Sequence, residues 1–235
     1  MILESFSKKN NKDILFLLAS LPGSVYKEAQ EVTVKRIEII VKRIFDFIMS
    51  ALMIVVLIVI PVLIVIPVAI RLTSKGPAMF TQKRVGKNGK EFEIYKFRTM
   101  LIPEERIDKN GNVLEPNDSI TKVGAFLRRT SLDELPQLFN ILKGDMSFVG
   151  PRPMIPSQVA KISEYHKTRH RMRPGVTGLA QVNGRNDLTW DKKLEYDMQY
   201  VEHFSLAMDI SIFIKTVRVV LLHEGIDYVH TMDKQ

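Results

Sequence analysis

The sequence contains no cysteine, and this absence excludes three kinds of chemistry. A chain without thiols forms no disulfide, binds no metal through thiolates and uses no cysteine nucleophile. A cleavable signal peptide is not apparent, because residues 1–11 are polar and the apolar run 14–19 that follows is short for such a signal. Internal repeats and low-complexity segments are also missing. The length of 235 residues is enough for one sizeable hydrophobic core or two small units.

Acidic residues are in the minority. Lys and Arg number 34 against 26 Asp and Glu, which gives a net charge of +8. Such a balance favours anionic partners, which are nucleic acids, nucleotides or acidic lipid headgroups. Residues 167–173 form a basic run, but no nucleic-acid-binding module accompanies it. We therefore expect anionic membrane lipids, and no nucleic acid, as the partner of this run.

Residues 47–70 contain no charged side chain. As a helix rising ~1.5 Å per residue, they are long enough to cross a bilayer core of ~30 Å, so a single spanning helix is the simplest interpretation. Pro61, near the middle, and Pro67 argue against it. A proline inside a helix removes a backbone hydrogen bond and bends the helix.

Both flanks of this apolar segment are basic, and Lys and Arg favour the cytoplasmic side of a membrane. The basic residues are Lys35, Arg36, Lys42 and Arg43 before the segment and Arg71, Lys75, Lys83 and Arg84 after it. Both flanks satisfy the rule only if the segment enters and leaves by the same face. We therefore predict a re-entrant helix–break–helix hairpin with its break at Ile60 and Pro61.

The remaining patterns predict a mainly helical α+β fold on a monotopic membrane protein. We divide the chain into an N-terminal appendage (1–40), the membrane hairpin (41–75) and a cytoplasmic domain (76–235), to which the motifs below assign catalysis. The local patterns predict strands over 80–85 and 92–97 joined by a turn at 86–89, a loop over 103–119, and helices over 190–204 and 206–222. Apolar residues at 132, 135, 138, 139 and 142 recur at helical spacing.

The adjacent carboxylates Asp133 and Glu134 have two interpretations. The structural one is helix capping, either as a capping box of Ser131 with Glu134 or with Asp133 as the N-cap, which places Pro136 in the first turn. The functional one uses the same position, because the positive potential at a helix N-terminus favours ionised carboxylates. An ionised Asp is able to attack phosphorus, and an ionised Glu to bind Mg²⁺. Residue spacing alone leaves both interpretations open.

Several longer motifs occur in order along the chain. They are Lys42-Arg-Ile-Phe-Asp46, Phe80-Thr-Gln-Lys-Arg-Val-Gly86, Ile94-Tyr-Lys-Phe-Arg-Thr-Met100, Ser131-Leu-Asp-Glu-Leu-Pro-Gln137, Asp145-Met-Ser-Phe-Val-Gly-Pro-Arg-Pro153, Arg173-Pro-Gly-Val-Thr-Gly178 and Asn183-Gly-Arg185. Together they resemble the motifs of the bacterial monotopic phosphoglycosyl transferases, also called the bacterial sugar transferase family, over residues 41–222. The family's hairpin breaks at a Ser-Pro pair, which is Ile60-Pro61 here.

The resemblance implies an activity and a set of residues. Such enzymes move a phospho-sugar from a UDP-sugar to a polyprenyl phosphate such as undecaprenyl phosphate, which begins the assembly of a bacterial glycan. By this match Asp133 is the nucleophile and Glu134 binds Mg²⁺. The substrate-binding candidates are Lys96, Arg98, Arg128 and Arg152 for phosphate, and Asn183 and Arg185 for nucleotide or sugar. The implied location is the bacterial inner membrane, with the catalytic domain in the cytoplasm and a homo-oligomer possible.

Two rival functions accompany this hypothesis. The first is a membrane-anchored scaffold or anion-binding protein without catalysis, in which the carboxylate pair only caps a helix. The second is a basic nucleic-acid-binding protein with a spanning anchor. Activity of the purified protein with a UDP-sugar separates the first rival from the enzyme, and a salt-sensitive gel shift would support the second.

Overall fold

The computed structural model describes residues 23–59, 62–106, 115, 118–184 and 187–222. The chain divides into two compact units, with the boundary between Lys42 and Arg43. The predicted break at Ile60 and Pro61 lies outside the described residues, as does Arg185.

Helices make up most of the described chain. They are α1 (Gly23–Val59), α2 (Val62–Thr73), α3 (Lys122–Thr130), α4 (Gln137–Lys143), α5 (Pro156–Val159), α6 (Glu164–Lys167), α7 (Leu179–Val182), α8 (Trp190–Glu202) and α9 (Leu206–Leu222). The strands are β1 (Met79–Val85), β2 (Glu91–Phe97), β3 (Ser147–Val149) and β4 (Gly175–Thr177). This content confirms the predicted α+β, mainly helical class, and α8 and α9 confirm the two predicted C-terminal helices.

Strands β1 and β2 form the predicted antiparallel hairpin. Met79 pairs with Phe97 at its open end, and Val85 pairs with Glu91 next to the turn. Asn88 in the turn has φ 57°, a left-handed conformation that asparagine tolerates better than most residues. The free edge of β2 is covered by Asn140 of α4, whose amide accepts a hydrogen bond from the Tyr95 N–H and donates one to the Glu93 carbonyl. This pairing fixes α4 beside the strand that carries Lys96.

A second, parallel pair of strands was not predicted. Ser147 in β3 pairs with Gly175 in β4, and Val149 pairs with Thr177. The backbones approach closely just beyond β3, where a Cβ added to Gly150 would lie 2.3 Å from the Arg173 carbonyl oxygen. Glycine is therefore required at this crossing, and the crossing sets where the following Pro-Arg-Pro turn begins.

Large apolar side chains cover the outward faces of the two apolar helices. The exposed ones in the second unit are Ile44, Phe45, Phe47, Ile48, Leu52, Val55 and Val56 of α1 and Ile64, Val65, Val68 and Leu72 of α2. Within the described residues no single helix is both long and apolar enough to cross a membrane. The pair formed by Lys35–Leu57 and Val62–Thr73, bent by 62°, has the length and composition to do so.

The inward faces of the same helices pack on the rest of the second unit. Ile54 of α1 joins a buried cluster with Ile94 and Ile141, and Ile66 of α2 joins another with Phe97 and Leu127. Burying one such aliphatic side chain contributes about 1.5–3 kcal/mol to stability. The apolar helices are therefore part of the folding core as well as the bearers of an exposed apolar surface.

Polar contacts fix the start of α1 within this unit. Arg43 donates from Nη1 to the Ile141 carbonyl (2.6 Å) and from Nη2 to the Leu142 carbonyl (3.0 Å). These carbonyls belong to the last turn of α4, where helix ends leave acceptors without partners. Asp46 accepts a hydrogen bond from the Phe148 N–H at 3.2 Å. The two side chains tie the basic end of the apolar segment to α4 and β3.

Gly124 allows α3 to contact the chain that follows β2. A Cβ at this position would lie 1.9 Å from the Thr99 carbonyl oxygen. We expect Gly124→Ala to lower the free energy of unfolding by about 1–3 kcal/mol, because overpacking outweighs the gain of about 1 kcal/mol in helix propensity. The measurement is the thermal unfolding midpoint in detergent. Gly89→Asn is the matched control, since open space surrounds Gly89 and its φ of +76° suits asparagine. An unchanged midpoint for Gly124→Ala would show that α3 shifts without cost.

Candidate active site

The carboxylate pair lies on a tight turn between two helices. After α3 the chain reverses at Ser131, which has φ 57° and ψ 16°, and residues Leu132–Glu134 form one turn of 3-10 helix. Helix α4 begins only at Gln137, with Pro136 as its N-cap. Both predicted caps are therefore wrong, because neither the Ser131 side chain nor a carboxylate of the pair caps α4.

Hydrophobic packing explains this turn. Leu132 and Leu135 both pack on the buried cluster that includes Ile66 and Ile70 of α2. In a 3-10 turn residues three apart share a face, so these leucines face the core together. Asp133 and Glu134 lie between them and are directed elsewhere. The helical spacing of apolar residues over 132–142 is thus interrupted, and the two leucines that flank the carboxylates pack on a cluster to which α2 contributes.

Glu134 is held by two cations. Its Oε1 accepts from Lys96 Nζ at 2.6 Å and from Arg152 Nη2 at 3.3 Å. Burial opposes ionisation here, but Arg152 and Lys96 together outweigh it and lower the pKa of Glu134 to about 2. The side chain is therefore a carboxylate across the physiological pH range. Among the described residues no partner contacts Oε2, which leaves that oxygen available to a ligand.

Asp133 differs from its neighbour in having no fixed contact. It is buried, and in the described part of the chain its carboxylate makes neither a hydrogen bond nor an ion pair. Burial raises the pKa of Asp133, while the charges of Lys96, Arg128 and Arg152 lower it and Glu134 raises it. The net direction is opposite to the lowering expected from a helix N-terminus, because burial outweighs the neighbouring cations. The result is a desolvated carboxylate surrounded by cations.

Arg128 and Arg152 reach the carboxylates from different elements. Arg128 is in the last turn of α3, where its Nε donates to the Thr99 hydroxyl at 2.9 Å. Arg152 lies in the turn after β3, and its side chain is 55% exposed even though it contacts Glu134. The sequence-predicted residues Lys96, Arg128 and Arg152 are thus brought together around the pair.

The remaining predicted substrate-binding residues have contacts of another kind. Arg98 is buried, and its guanidinium donates to the carbonyls of Ser74 and Lys75 just after α2. Asn183 donates from its amide to the Leu179 carbonyl at 2.7 Å, across the single turn of α7. These contacts are structural in the described chain, so the substrate-binding roles of Arg98, Asn183 and the undescribed Arg185 stay predictions.

Sequence reasoning did not select Arg84 for the site. Its Nη1 donates to the Pro153 carbonyl at 3.0 Å, and its Nη2 donates to Gln82 Oε1 at 2.6 Å. Burial and Arg152 lower the pKa of Arg84, and Glu134 raises it, so this guanidinium belongs to the same electrostatic cluster. Its place in the motif 80–86 was the signal that could have assigned Arg84 to the site. From the sequence alone, Arg84 is assigned only to the basic flank of the apolar segment.

The carboxylate pair fits a magnesium ion. Mg²⁺ in phosphate-handling sites is held by one or two carboxylates, with water and substrate phosphate completing its shell. Glu134 supplies an ionised carboxylate with one oxygen uncommitted. Across the described residues no group of three or more His, Cys, Asp or Glu is placed to hold a metal, so the protein would offer few ligands and the substrate the others.

His170, next to this cluster, gives stability a pH dependence. Burial and the Arg169 charge lower the pKa of His170 to about 4, against an acceptor at Gly86 that raises it. The folded protein thus binds this proton less tightly than the unfolded chain, whose pKa is about 6.5. We expect the stabilisation to be complete above pH 6.5 and lost as pH falls toward 4. The thermal midpoint of His170→Gln should fall less steeply over this range than that of the wild type, whereas the exposed control His203→Gln should follow the wild type.

Comparison with known proteins decides the family. Residues 37–223 match the sequence profile described as Bacterial sugar transferase. The chain belongs to the bacterial sugar transferase family. The match confirms the resemblance seen in the ordered motifs.

Relatives within the family cover the chain to similar extents. Over 187 residues it is 45% identical to a Bacillus subtilis protein named uncharacterized sugar transferase EpsL, which covers 80% of this chain and 90% of that protein. It is 40% identical over 205 residues to the undecaprenyl-phosphate galactose phosphotransferase of Salmonella typhimurium, covering 81% of this chain and 42% of the relative. It is 42% identical over 187 residues to the UDP-glucose:undecaprenyl-phosphate glucose-1-phosphate transferase of Escherichia coli, covering 76% and 39%. The chain therefore spans most of the first relative and about two-fifths of the other two.

Proposed function

We propose that this protein is a polyprenyl-phosphate phosphoglycosyl transferase. It moves a phospho-sugar from a UDP-sugar to undecaprenyl phosphate or a similar polyprenyl phosphate, which begins the assembly of a bacterial polysaccharide. The family match and the printed activities of the Salmonella and Escherichia coli relatives support this reaction class. The structural observation that carries the proposal is Asp133, a carboxylate with no fixed partner in the described chain, beside an ion-paired Glu134 and three cations.

In the first step an Asp133 oxygen attacks the phosphorus attached to the sugar. A bond forms between that oxygen and phosphorus, the bond from phosphorus to the bridging oxygen breaks, and UMP leaves with the electron pair. The product on the protein is an acyl phosphate that carries the sugar. Burial of Asp133 favours attack, because a nucleophile with few hydrogen-bonded partners loses less solvation on reaching phosphorus.

In the second step polyprenyl phosphate attacks the same phosphorus. Its phosphate oxygen forms the new bond, the acyl oxygen leaves, and the Asp133 carboxylate is restored. UDP-sugar and lipid phosphate are both anionic and repel each other, so the covalent intermediate allows them to occupy the site in turn. Lys96, Arg128 and Arg152 provide positive charge close to the phosphoryl oxygens, on which negative charge develops during the transfer.

Glu134 would hold Mg²⁺ through its uncommitted oxygen. The bound ion supplies neutralisation of phosphate charge and polarisation of the bond to the leaving group. Lys96 and Arg152 keep Glu134 ionised and fix its orientation, so the carboxylate is ready for the cation without a change of protonation.

The apolar helices fit a re-entrant membrane hairpin at the cytoplasmic face of the bacterial inner membrane. Exposed apolar side chains on α1 and α2, the 62° bend and two basic flanks support this arrangement. With it we keep the boundaries 1–40, 41–75 and 76–235 as the domain proposal. Because the leucines that flank the carboxylate pair pack on the cluster that includes α2, the pair then lies near the surface where a lipid phosphate is presented.

Cysteine labelling tests this topology, since the chain has no cysteine of its own. Single cysteines at the exposed positions Arg36 and Lys75, one on each side of the apolar segment, should react with an impermeant thiol reagent only after cells are opened. Lys193→Cys in α8 is the control for a cytoplasmic site. Labelling of either flank in intact cells would establish a spanning helix instead.

The activity is tested by UMP release from a panel of UDP-sugars with polyprenyl phosphate and Mg²⁺. We expect release with at least one sugar, and the identity of that sugar defines the donor. No release from any member would favour the scaffold hypothesis. That rival has lost its structural basis in one respect, because the carboxylate pair does not cap α4.

A further inference from the structure

The turn that carries Arg152 is held at every carbonyl from Pro151 to Met154. The Gly175 N–H donates to the Pro151 oxygen (3.0 Å), and the Val85 N–H donates to the Met154 oxygen (2.9 Å). The two middle carbonyls receive side-chain donors, with Arg169 Nη2 on Arg152 at 2.7 Å and Arg84 Nη1 on Pro153 at 3.0 Å. Prolines at 151 and 153 have no N–H to contribute, so the turn depends on donors from elsewhere.

Arg169 is an unusual donor, because it is an arginine that is 2% exposed. Its Nη2 also lies 2.5 Å from Asp197 Oδ2, and the Asp197 side chain is 5% exposed. Transferring two charges from water into the protein interior costs free energy. The attraction within the ion pair offsets this cost only when the geometry of the pair is fixed. Asp197 lies in the middle of α8, so a rigid helix sets the position of the guanidinium.

The contacts continue from α8 to the carboxylate pair. Asp197 orients Arg169, Arg169 holds the carbonyl of Arg152, and the Arg152 guanidinium contacts Glu134. The Arg152 side chain is 55% exposed, whereas its backbone carbonyl is held by the buried Arg169. A shift of this carbonyl would move the guanidinium relative to both Glu134 and Asp133.

We infer that Arg169, oriented by Asp197, is a positioning residue that places Arg152 for the transfer of the phosphoryl group. The inference rests on the proposed function. It assigns to a buried ion pair, remote from the reacting atoms, the task of fixing a site cation whose side chain is more than half exposed. Small displacements of a positioning group have large consequences, up to about 10²-fold for about 1 Å.

The test removes the ion pair without leaving a buried charge. Arg169→Met together with Asp197→Leu replaces both partners by apolar side chains, a change that buried pairs often tolerate. We expect this paired replacement to lower kcat/KM for UMP release by about ten-fold in the wild-type background. In an Arg152→Met background the same replacement should lower it by less than about two-fold, because the residue being positioned is already gone.

This comparison separates positioning from folding. A purely structural pair would cost the same factor in both backgrounds, and that result, or full activity of the paired replacement, would overturn the inference. Asp197→Asn, measured in the same two backgrounds, gives a second measurement that does not depend on whether the paired replacement folds.

Arg169→Lys, which keeps a donor and the charge, should retain most of the wild-type activity. Lys161→Met, at an exposed position outside the basic run, is the control and should match the wild type.

The outcome is distinguishable from failure of the proposed function itself. Wild-type protein is assayed in parallel with the donor sugar that the UDP-sugar panel identifies. If the wild type releases no UMP, the proposed function fails. If the wild type is active and the two backgrounds lose activity equally, only the inference about Arg169 fails.

Discussion

Replacing Asp133 with asparagine is expected to abolish sugar-phosphate transfer while leaving the fold intact. The amide has nearly the same shape as the carboxylate but is a very poor nucleophile, so we expect a loss of at least about 10⁴-fold in turnover. The fold should persist because Asp133 makes no hydrogen bond or ion pair in the described chain that asparagine would break. Burial already raises the pKa of Asp133, which means that removing its charge relieves a desolvation cost.

The measurement combines turnover with thermal unfolding in detergent. Asp191→Asn, at an exposed position in the first turn of α8, is the matched control and should keep both activity and midpoint. We expect Asp133→Asn to unfold at or above the wild-type midpoint. Turnover within about ten-fold of wild type would remove Asp133 from the role of nucleophile.

Replacing Glu134 with glutamine is the second change with a large expected effect. It removes the carboxylate that forms an ion pair with Lys96, and the ionised oxygen proposed for Mg²⁺. We expect turnover to fall by about 10²–10³-fold, the range seen when a single preorganised electrostatic contact is lost. We also expect EDTA to stop the wild-type reaction and added Mg²⁺ to restore it.

The variant and the metal should act on the same feature. If Glu134 holds the ion, Glu134→Gln should need a much higher Mg²⁺ concentration for half-maximal activity, whereas the exposed control Glu104→Gln should not. An unchanged Mg²⁺ requirement in Glu134→Gln would assign the ion to other ligands. Full wild-type activity in EDTA would exclude the metal from the reaction.

The elements that the sequence predicts correctly are those with strong local signals. The hairpin of β1 and β2 has two short runs of strand-forming residues joined by a turn rich in glycine and asparagine. Helices α8 and α9 have long stretches of apolar residues at helical spacing. Strands β3 and β4 have only three residues each, which is too short for a periodic pattern, and their pairing depends on the approach of Gly150 to Gly175.

The local geometry of the carboxylate pair is set by contacts that are distant in sequence. Leu132 and Leu135 belong to a helical pattern, but their packing on the buried cluster that includes Ile66 and Ile70 favours a 3-10 turn, and α4 begins only at Gln137. The sequence predicts Asp133 and Glu134 as the reactive pair, which stays a prediction, but it gives the wrong caps and the wrong direction for the Asp133 pKa.

The basic residues show the same limit. Lys96, Arg128 and Arg152 gather around the pair as the motifs predict, whereas Arg98, from the same motif as Lys96, turns into the protein to bind carbonyls after α2. Residues two apart on a strand point to the same face, so strand alternation alone would place the side chains of Lys96 and Arg98 together. Strand β2 ends at Phe97, so this rule no longer applies to Arg98. Such breaks depend on how the chain continues, which a motif does not record.

Covalent capture tests the central claim most directly. Purified protein is mixed with the donor UDP-sugar and Mg²⁺ in the absence of polyprenyl phosphate, and its intact mass is measured. The proposed mechanism predicts release of UMP and a mass increase equal to one phospho-sugar, mapped to Asp133 and absent from Asp133→Asn. A protein that turns over with both substrates, yet shows no adduct and releases no UMP until the lipid phosphate is added, would contradict the covalent mechanism and require direct transfer between the two substrates.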